Sequence, residues 1–219
     1  MCVIMYKPAG VEMPCADTIR ACFEANPHGA GYMLPKRGKV AVSKGFMDLP
    51  SLMAALASEG DLTDVPVVVH FRITTQGGVQ PSLCHPFPVC DSYAKMRLLG
   101  CECDVAVAHN GVIAHCSNPR CTDRNDTMEW VKRFADPVVN GDPNWFRSKK
   151  RVRLLSERSV SGGSRFAVMS RNGFVQLIGD WRRHSDGCMY SNTYWLGRQA
   201  CRTAGGAFSL FGDADGWED

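Results

Sequence analysis

Cysteine stands at position 2, at the head of the run Cys2-Val3-Ile4-Met5-Tyr6. Methionine aminopeptidases remove an initiator methionine when the next side chain is small, and cysteine is small. The product would carry a thiol and an α-amine on one residue. An α-amine titrates near ~8, so it can serve as general base toward its own side chain, in the manner of an N-terminal threonine. The thiolate is the nucleophilic form of cysteine. On position alone Cys2 reads as a core thiol, since free cysteine is among the most buried residue types.

Three further stretches carry chemistry-capable groups. In His70-Phe71-Arg72-Ile73-Thr74-Thr75-Gln76-Gly77-Gly78 an arginine follows an apolar strand and is itself followed by hydroxyls and glycines. Its two-pronged guanidinium suits a carboxylate, and loops after strands are where sites are commonly built. In His109-Asn110-Gly111 an amide side chain and an exposed backbone N–H stand side by side, the donors that an oxyanion needs. Asp123-Arg124-Asn125-Asp126-Thr127 is an acidic helix start. It supplies a cap and offsets the helix dipole, or it offers a carboxylate to an ammonium group. Taken singly, a surface arginine, a hairpin turn and a helix cap account for these three.

The elements that must position these groups follow from apolar periodicity. Residues 3–6 read as a strand stopped by Pro8-Ala9-Gly10. Ile19, Cys22 and Phe23 predict a helix over about 17–26 with Asp17 or Thr18 as cap. Residues 29–34 and 39–43 flank Lys36-Arg37-Gly38 as a hairpin, and 49–58 form a helix entered through Pro50. Val65–Phe71 is a β-branched strand. Asn110-Gly111 between 105–108 and 112–114 predicts a tight hairpin turn. Residues 124–135 read as a helix capped by Asp123, 136–145 as a loop and 147–158 as a basic helix. Residues 165–170 and 174–178 form a hairpin around Asn172-Gly173. This distribution predicts an α+β fold of layered sheets and helices.

A chain of 219 residues with 45% hydrophobic and 21% charged residues reads as one ordinary globular domain. The expected domain is 1–211, with an acidic, loosely held tail over 212–219. A net charge of +3 is too small to argue for a nucleic-acid or membrane partner. No leader and no membrane-spanning run is expected. Eleven cysteines without a secretory segment point to free thiols in a reducing, cytoplasmic setting. The closest-spaced group, Cys101, Cys103, Cys116 and Cys121, does not have the spacing of a zinc site. No metal and no cofactor is expected.

The four stretches gain meaning from their order. A second-residue cysteine, Arg72-x-x-Thr75-x-Gly77, His109-Asn110-Gly111 and Asn125-Asp126-Thr127 together resemble the class II glutamine amidotransferases, which are N-terminal-nucleophile hydrolases. The glutaminase domains of glucosamine-6-phosphate synthase and amidophosphoribosyltransferase are of this kind. Asn26-Pro27-His28-Gly29-Ala30-Gly31-Tyr32 resembles the family's glycine-rich strand entry, and Gln80–Pro86 its Pro…His-Pro stretch. The resemblance covers residues 2–127. It implies a four-layer αββα sandwich. It implies Cys2 as nucleophile, Arg72 and Asp126 as partners of the α-carboxylate and α-ammonium of L-glutamine, and Asn110 and Gly111 as the oxyanion hole. Thr75 and Gly77 would shape the glutamine pocket, and His85 falls on a family motif beside it. Gln76 departs from a histidine found in some relatives.

The resemblance leaves two enzymatic readings. One is a glutaminase that delivers ammonia to a separate synthetase, since 219 residues leave no room for an acceptor domain. The other is a self-sufficient γ-glutamyl amide hydrolase. A nucleic-acid module is the remote alternative, resting on Arg147, Lys149, Lys150, Arg151, Arg153 and Arg158. A solvated helix face explains those charges equally well.

Overall fold

The computed structural model describes residues 1–74, 78–118, 120–159 and 163–197. Thr75, Gly77, the boundary at 211 and the acidic segment 212–219 lie outside them. The chain is an α+β protein built on two antiparallel sheets. The larger has the strand order β10-β11-β1-β4-β2-β3-β6. Its members are β1 (Val3–Lys7), β2 (Ala30–Lys36), β3 (Lys39–Phe46), β4 (Val67–Phe71), β6 (Gly100–Cys103), β10 (Arg182–Arg183) and β11 (Met189–Tyr190). The smaller has the order β5-β7-β8-β9, from β5 (Phe87–Pro88), β7 (Val105–Asn110), β8 (Arg165–Ser170) and β9 (Val175–Ile178).

Strand alternation sorts the apolar residues into three cores. On β1, Val3 and Met5 pack with Val67, Val69 and Phe71 of β4 against α1 (Ala16–Ala25) and α2 (Leu49–Ser58). Ile4, between them in sequence, faces the second sheet with Met33, Val68, Ala106, Ala108, Ala167 and Met169. Val105, Val107, Phe166 and Val168 point the other way. They meet Met128 and Trp130 of α4 (Asp126–Trp130), Val139 of α5 (Asp136–Val139) and Leu155 of α6 (Lys149–Ser159). Among the described residues no helix is long and apolar enough to cross a membrane.

Several local expectations are corrected. α1 begins after Cys15 with no side-chain cap from Asp17 or Thr18. α4 is capped by Asn125, whose side chain accepts from Met128 N, and not by Asp123. The predicted helix continues beyond 135 through a wide turn over Val131–Ala135 into α5. Pro137 has no N–H to donate and its ring crowds the preceding turn, so the helix widens there rather than ending. The predicted return strand at 112–114 is absent, because β7 already pairs with β5 and β8 on its two edges. In α6, Arg151 pairs with Asp142 and Arg153 with Glu157, which offsets part of the basic face.

Lys44 of β3 is a buried cation in this frame. Its Nζ donates to Ser82 O (3.0 Å) and Met96 O (2.5 Å) and sits 4.0 Å from the Phe87 ring centroid. These contacts favour the ammonium form, but burial outweighs them and draws the group down to about 7. Between that value and the unfolded value near ~10.4, the unfolded chain binds more protons. Stability contributed by this site therefore rises with pH in that window, by up to about 1.4 kcal/mol per pH unit. Urea unfolding of wild type and Lys44→Met from slightly acid to alkaline pH should show wild type gaining on the variant as pH rises. A constant difference would contradict this.

Candidate functional site

β1 lies inside the larger sheet between β4 and β11, and Cys2 immediately precedes it. Period two gives Cys2 the face of Ile4, toward the gap between the sheets. Its Sγ accepts a hydrogen bond from Ile73 N (3.3 Å) and lies 3.4 Å from Ile73 O. Burial raises the thiol, opposed by the Ile73 backbone contact and by Arg72. The sulfur therefore keeps its proton at rest. Asn192 Nδ2 donates to the Cys2 carbonyl at 2.6 Å and anchors the residue from the β11 side.

Arg72 leaves β4 with its backbone clamped. Its N donates to Gly29 O (2.8 Å), and its carbonyl accepts from His28 N (3.0 Å). Glycine is needed at 29, where φ is +107° and an added Cβ would lie 2.6 Å from Cys84 Sγ. The Arg72 guanidinium is buried and close enough to Cys2 and Asp126 to interact electrostatically with both. Asp126 opens α4. Its Oδ2 accepts from Ile113 N (2.7 Å) and its Oδ1 from Thr127 N (2.8 Å). Burial raises this carboxyl above its ordinary value, and the backbone donors resist the rise.

Gly111 ends β7 at φ +142°. A Cβ there would stand 2.6 Å from Ser164 Oγ and 2.9 Å from Ser164 Cα, so only glycine fits the turn. The chain then swings toward α4, where the Ile113 N–H goes to Asp126 instead of a hairpin ladder. Asn110 is almost fully buried, and its Nδ2 lies 2.9 Å from Ser191 Oγ. The same Oγ accepts from Ile4 N at 2.8 Å, and among the described residues its own proton and Asn110 Oδ1 have no partner. Turning the amide by about 180° satisfies both, with Ser191 donating to Oδ1. The Asn110 NH2 is then free to donate elsewhere.

Three buried histidines fill the space alongside. His70 Nε2 contacts His109 O (3.0 Å), and His109 contacts Thr127 Oγ1 (2.9 Å) and Ser164 Oγ (3.1 Å). The His85 ring packs 4.2 Å from His70 and 4.6 Å from Phe87, and neither of its nitrogens has a partner among the described residues. Burial lowers His70 and His109 to about 3 and His85 well below its usual value, so all three are neutral.

Of the residues expected from sequence, Cys2, Arg72, His85, Gly111 and Asp126 line one cleft of about 20 Å³, room for about one water. Asn110 is not on its wall; it stands next in sequence to Gly111 with its amide on Ser191. Two roomier cavities, of about 400 Å³ by α1 and α2 and about 390 Å³ by β6, contain none of these groups. The chemistry therefore marks the smaller one. Ser191, Asn192 and Ser164 escape sequence reasoning as site residues, while His109 and Thr127 lie inside motifs read from the sequence without a role of their own. The one available signal is a polar pair directly after the apolar Met189-Tyr190, too short to carry a period.

No family model and no curated protein matches the chain. Among solved structures it is similar to the glutamine phosphoribosylpyrophosphate amidotransferase from B. subtilis complexed with ADP and GMP. The TM-score is 0.44 and the identity 14%, covering 91% of this chain and 44% of that one. The chain thus spans less than half the length of that protein.

Ser191→Ala strands two buried groups, the Ile4 N–H and the Asn110 amide. It should lower stability by about 1–3 kcal/mol, read as a drop in the urea midpoint at unchanged m-value. A variant of wild-type stability would show that the hydroxyl is dispensable to the fold.

Proposed function

We propose that the chain is a cysteine amidohydrolase of the N-terminal-nucleophile type, with a four-layer αββα sandwich. Its substrate would be the side-chain amide of L-glutamine, and the ammonia would pass to a separate acceptor enzyme. The observation that carries the reading is the convergence of Cys2, Arg72, Gly111 and Asp126 on one cleft from four separate segments. A nucleophile, a buried guanidinium, a glycine N–H and a buried carboxylate are the groups a γ-glutamyl amide requires.

With Met1 removed, the α-amine of Cys2 sits on the same residue as the thiol. Burial keeps that thiol neutral, so attack requires the amine to take its proton as the C–S bond forms. The amide oxygen becomes an oxyanion, stabilised by the Gly111 N–H and the released Asn110 NH2. The amine returns its proton to the departing nitrogen, and ammonia leaves behind a γ-glutamyl thioester. Water, deprotonated by the same amine, cleaves the thioester to glutamate and restores the thiol. Arg72 holds the substrate's α-carboxylate and Asp126 its α-ammonium; on the family resemblance Thr75 and Gly77 would shape the glutamine pocket, and His85 offers nitrogens that have no partner among the described residues. The cleft must widen to admit the substrate.

The proposal is tested by treating the protein with 6-diazo-5-oxo-norleucine, with adduct expected on Cys2 alone. Labelling of another cysteine would overturn it. Cys2→Ala should abolish glutamine hydrolysis, and Asn110→Ala should lower kcat by about 10²–10³. Arg72→Ala should cost about 2–5 kcal/mol in kcat/KM through loss of a buried charge partner. Asp126 must be ionised to hold an ammonium. Because its folded pKa is raised, kcat/KM should fall on the acid side at a pH above the usual aspartate range. That acid limb should vanish in Asp126→Asn, whose activity should be low throughout. Rapid turnover of other γ-glutamyl amides, unaffected by any acceptor enzyme, would favour a self-sufficient hydrolase.

A further inference from the structure

Among the described residues the larger sheet ends at β6, an edge strand paired with β3. Cys101 and Cys103 are two residues apart on it, so their side chains share a face. Both pack partly into the core between the sheets, and both remain half-exposed. They border a cavity of about 390 Å³ whose wall also carries Cys90, two lysines (Lys39, Lys95) and two carboxylates (Glu102, Asp104). Cys2 and the groups around it take no part in this cavity, so chemistry at β6 is independent of the proposed hydrolase activity.

We propose that Cys101 and Cys103 form a redox-active dithiol that closes to an intramolecular disulfide by exchange with a low-molecular-weight disulfide entering this cavity. Cys101 is the attacking sulfur. Interaction with the Cys103 sulfur, with help from Lys44, brings its thiol down to about 7 in spite of partial burial. The same interaction and burial push Cys103 the other way, and its Sγ donates to Val40 O at 3.7 Å. The two titrate as a pair, in which the first proton leaves far more readily than the second. On the cavity wall Lys39 and Lys95 are offset by Glu102 and Asp104, with Lys39 paired to Asp104 at 2.9 Å, so the wall does not select an entering disulfide by charge and oxidised glutathione serves as the probe.

The exchange balances in two steps. The Cys101 thiolate attacks one sulfur of the entering disulfide, forming a mixed disulfide and releasing one thiolate. That thiolate takes the Cys103 proton. Cys103, now a thiolate, attacks Cys101 Sγ, breaking the mixed disulfide and releasing the second thiolate, which takes a proton from water. One protein thiolate and one protein thiol are oxidised, and one external disulfide is reduced to two thiols with that one solvent proton. Residues two apart on an extended strand have Cα atoms about 6.8 Å apart, the long end of what a disulfide spans. Closure therefore puckers β6, which a strand with one free edge can accommodate, and the product is readily reduced.

The test uses the full wild-type chain. It is incubated with oxidised glutathione, remaining thiols are alkylated, and peptides are mapped by mass spectrometry without reduction. The expected product is a Cys101–Cys103 link that mild dithiothreitol reverses. Cys15, an exposed thiol lowered by its Thr18 hydrogen bonds, should carry glutathione as an adduct that persists, unlike the one on Cys101. Cys103→Ser should trap glutathione on Cys101, Cys101→Ser should remove the reaction from the strand, and Cys90→Ser should leave it intact. Glutathione persisting on Cys101 in wild type, a Cys90–Cys103 link, or modification of Cys15 with Cys101 and Cys103 untouched would each overturn the proposal.

Discussion

One buried hydroxyl holds the site together. Ser191 Oγ accepts from the backbone of Ile4 in the larger sheet and meets the Asn110 amide at the end of β7 in the smaller one. The interface between the sheets is otherwise mostly apolar, with Ala106, Ala108 and Ala167 facing Ile4, Met33 and Val68. Such contacts resist separation but are non-directional, so they do not by themselves fix the sliding position of one sheet on the other. Hydrogen bonds are directional. The Ser191 bridge and the His70–His109 carbonyl contact cross that interface. They set where Gly111 stands relative to Cys2, while Asn192 fixes Cys2 from the same short segment.

The electrostatics follow from placing the cleft in that interface. Burial disfavours every charge, so the groups there divide into those it neutralises and those held charged by a partner. The three histidines and the Cys2 thiol take the neutral path. Asp126 is held as a carboxylate by two backbone N–H groups against the pull of burial. Arg72 stays cationic because its ordinary pKa lies so high that even a lowered value remains far above neutrality. The cleft thus has one firm cation and one carboxylate among neutral nucleophilic and hydrogen-bonding groups.

How much of this is legible in the sequence depends on the range of the interaction involved. Helices at 16–25 and 49–58 and the hairpins at 30–46 and 165–178 follow from local period and turn chemistry, and their boundaries lie within a few residues of those expected. The Asn110-Gly111 turn misleads because a tight-turn dipeptide says nothing about pairing. The partners of β7 lie roughly 20 residues upstream and roughly 60 downstream, and Gly111 is needed for a close approach to Ser164 rather than for a hairpin. Cys2, Arg72, His85, Gly111 and Asp126 stand out by residue type and order, and they share a cleft. Ser191 and Asn192 do not, because their partners, Ile4, Asn110 and Cys2, are far away in sequence. No local rule connects them.

The cleft's charge pattern also bears on what it can accept. On the proposed reading, glutamine arrives as a zwitterion, a carboxylate and an ammonium on one carbon. Binding it beside Arg72 and Asp126 adds no net charge to a buried region, whereas either group alone would leave one protein charge uncompensated. Leaving a buried charge unpaired costs more than the pair itself gains. A substrate lacking either end is therefore rejected chiefly by what it leaves exposed in the protein, and this discrimination operates before the thiol is engaged. The nucleophile can then remain general, a neutral thiol beside an amine, because selectivity for the γ-glutamyl end resides in two residues that never touch the scissile bond.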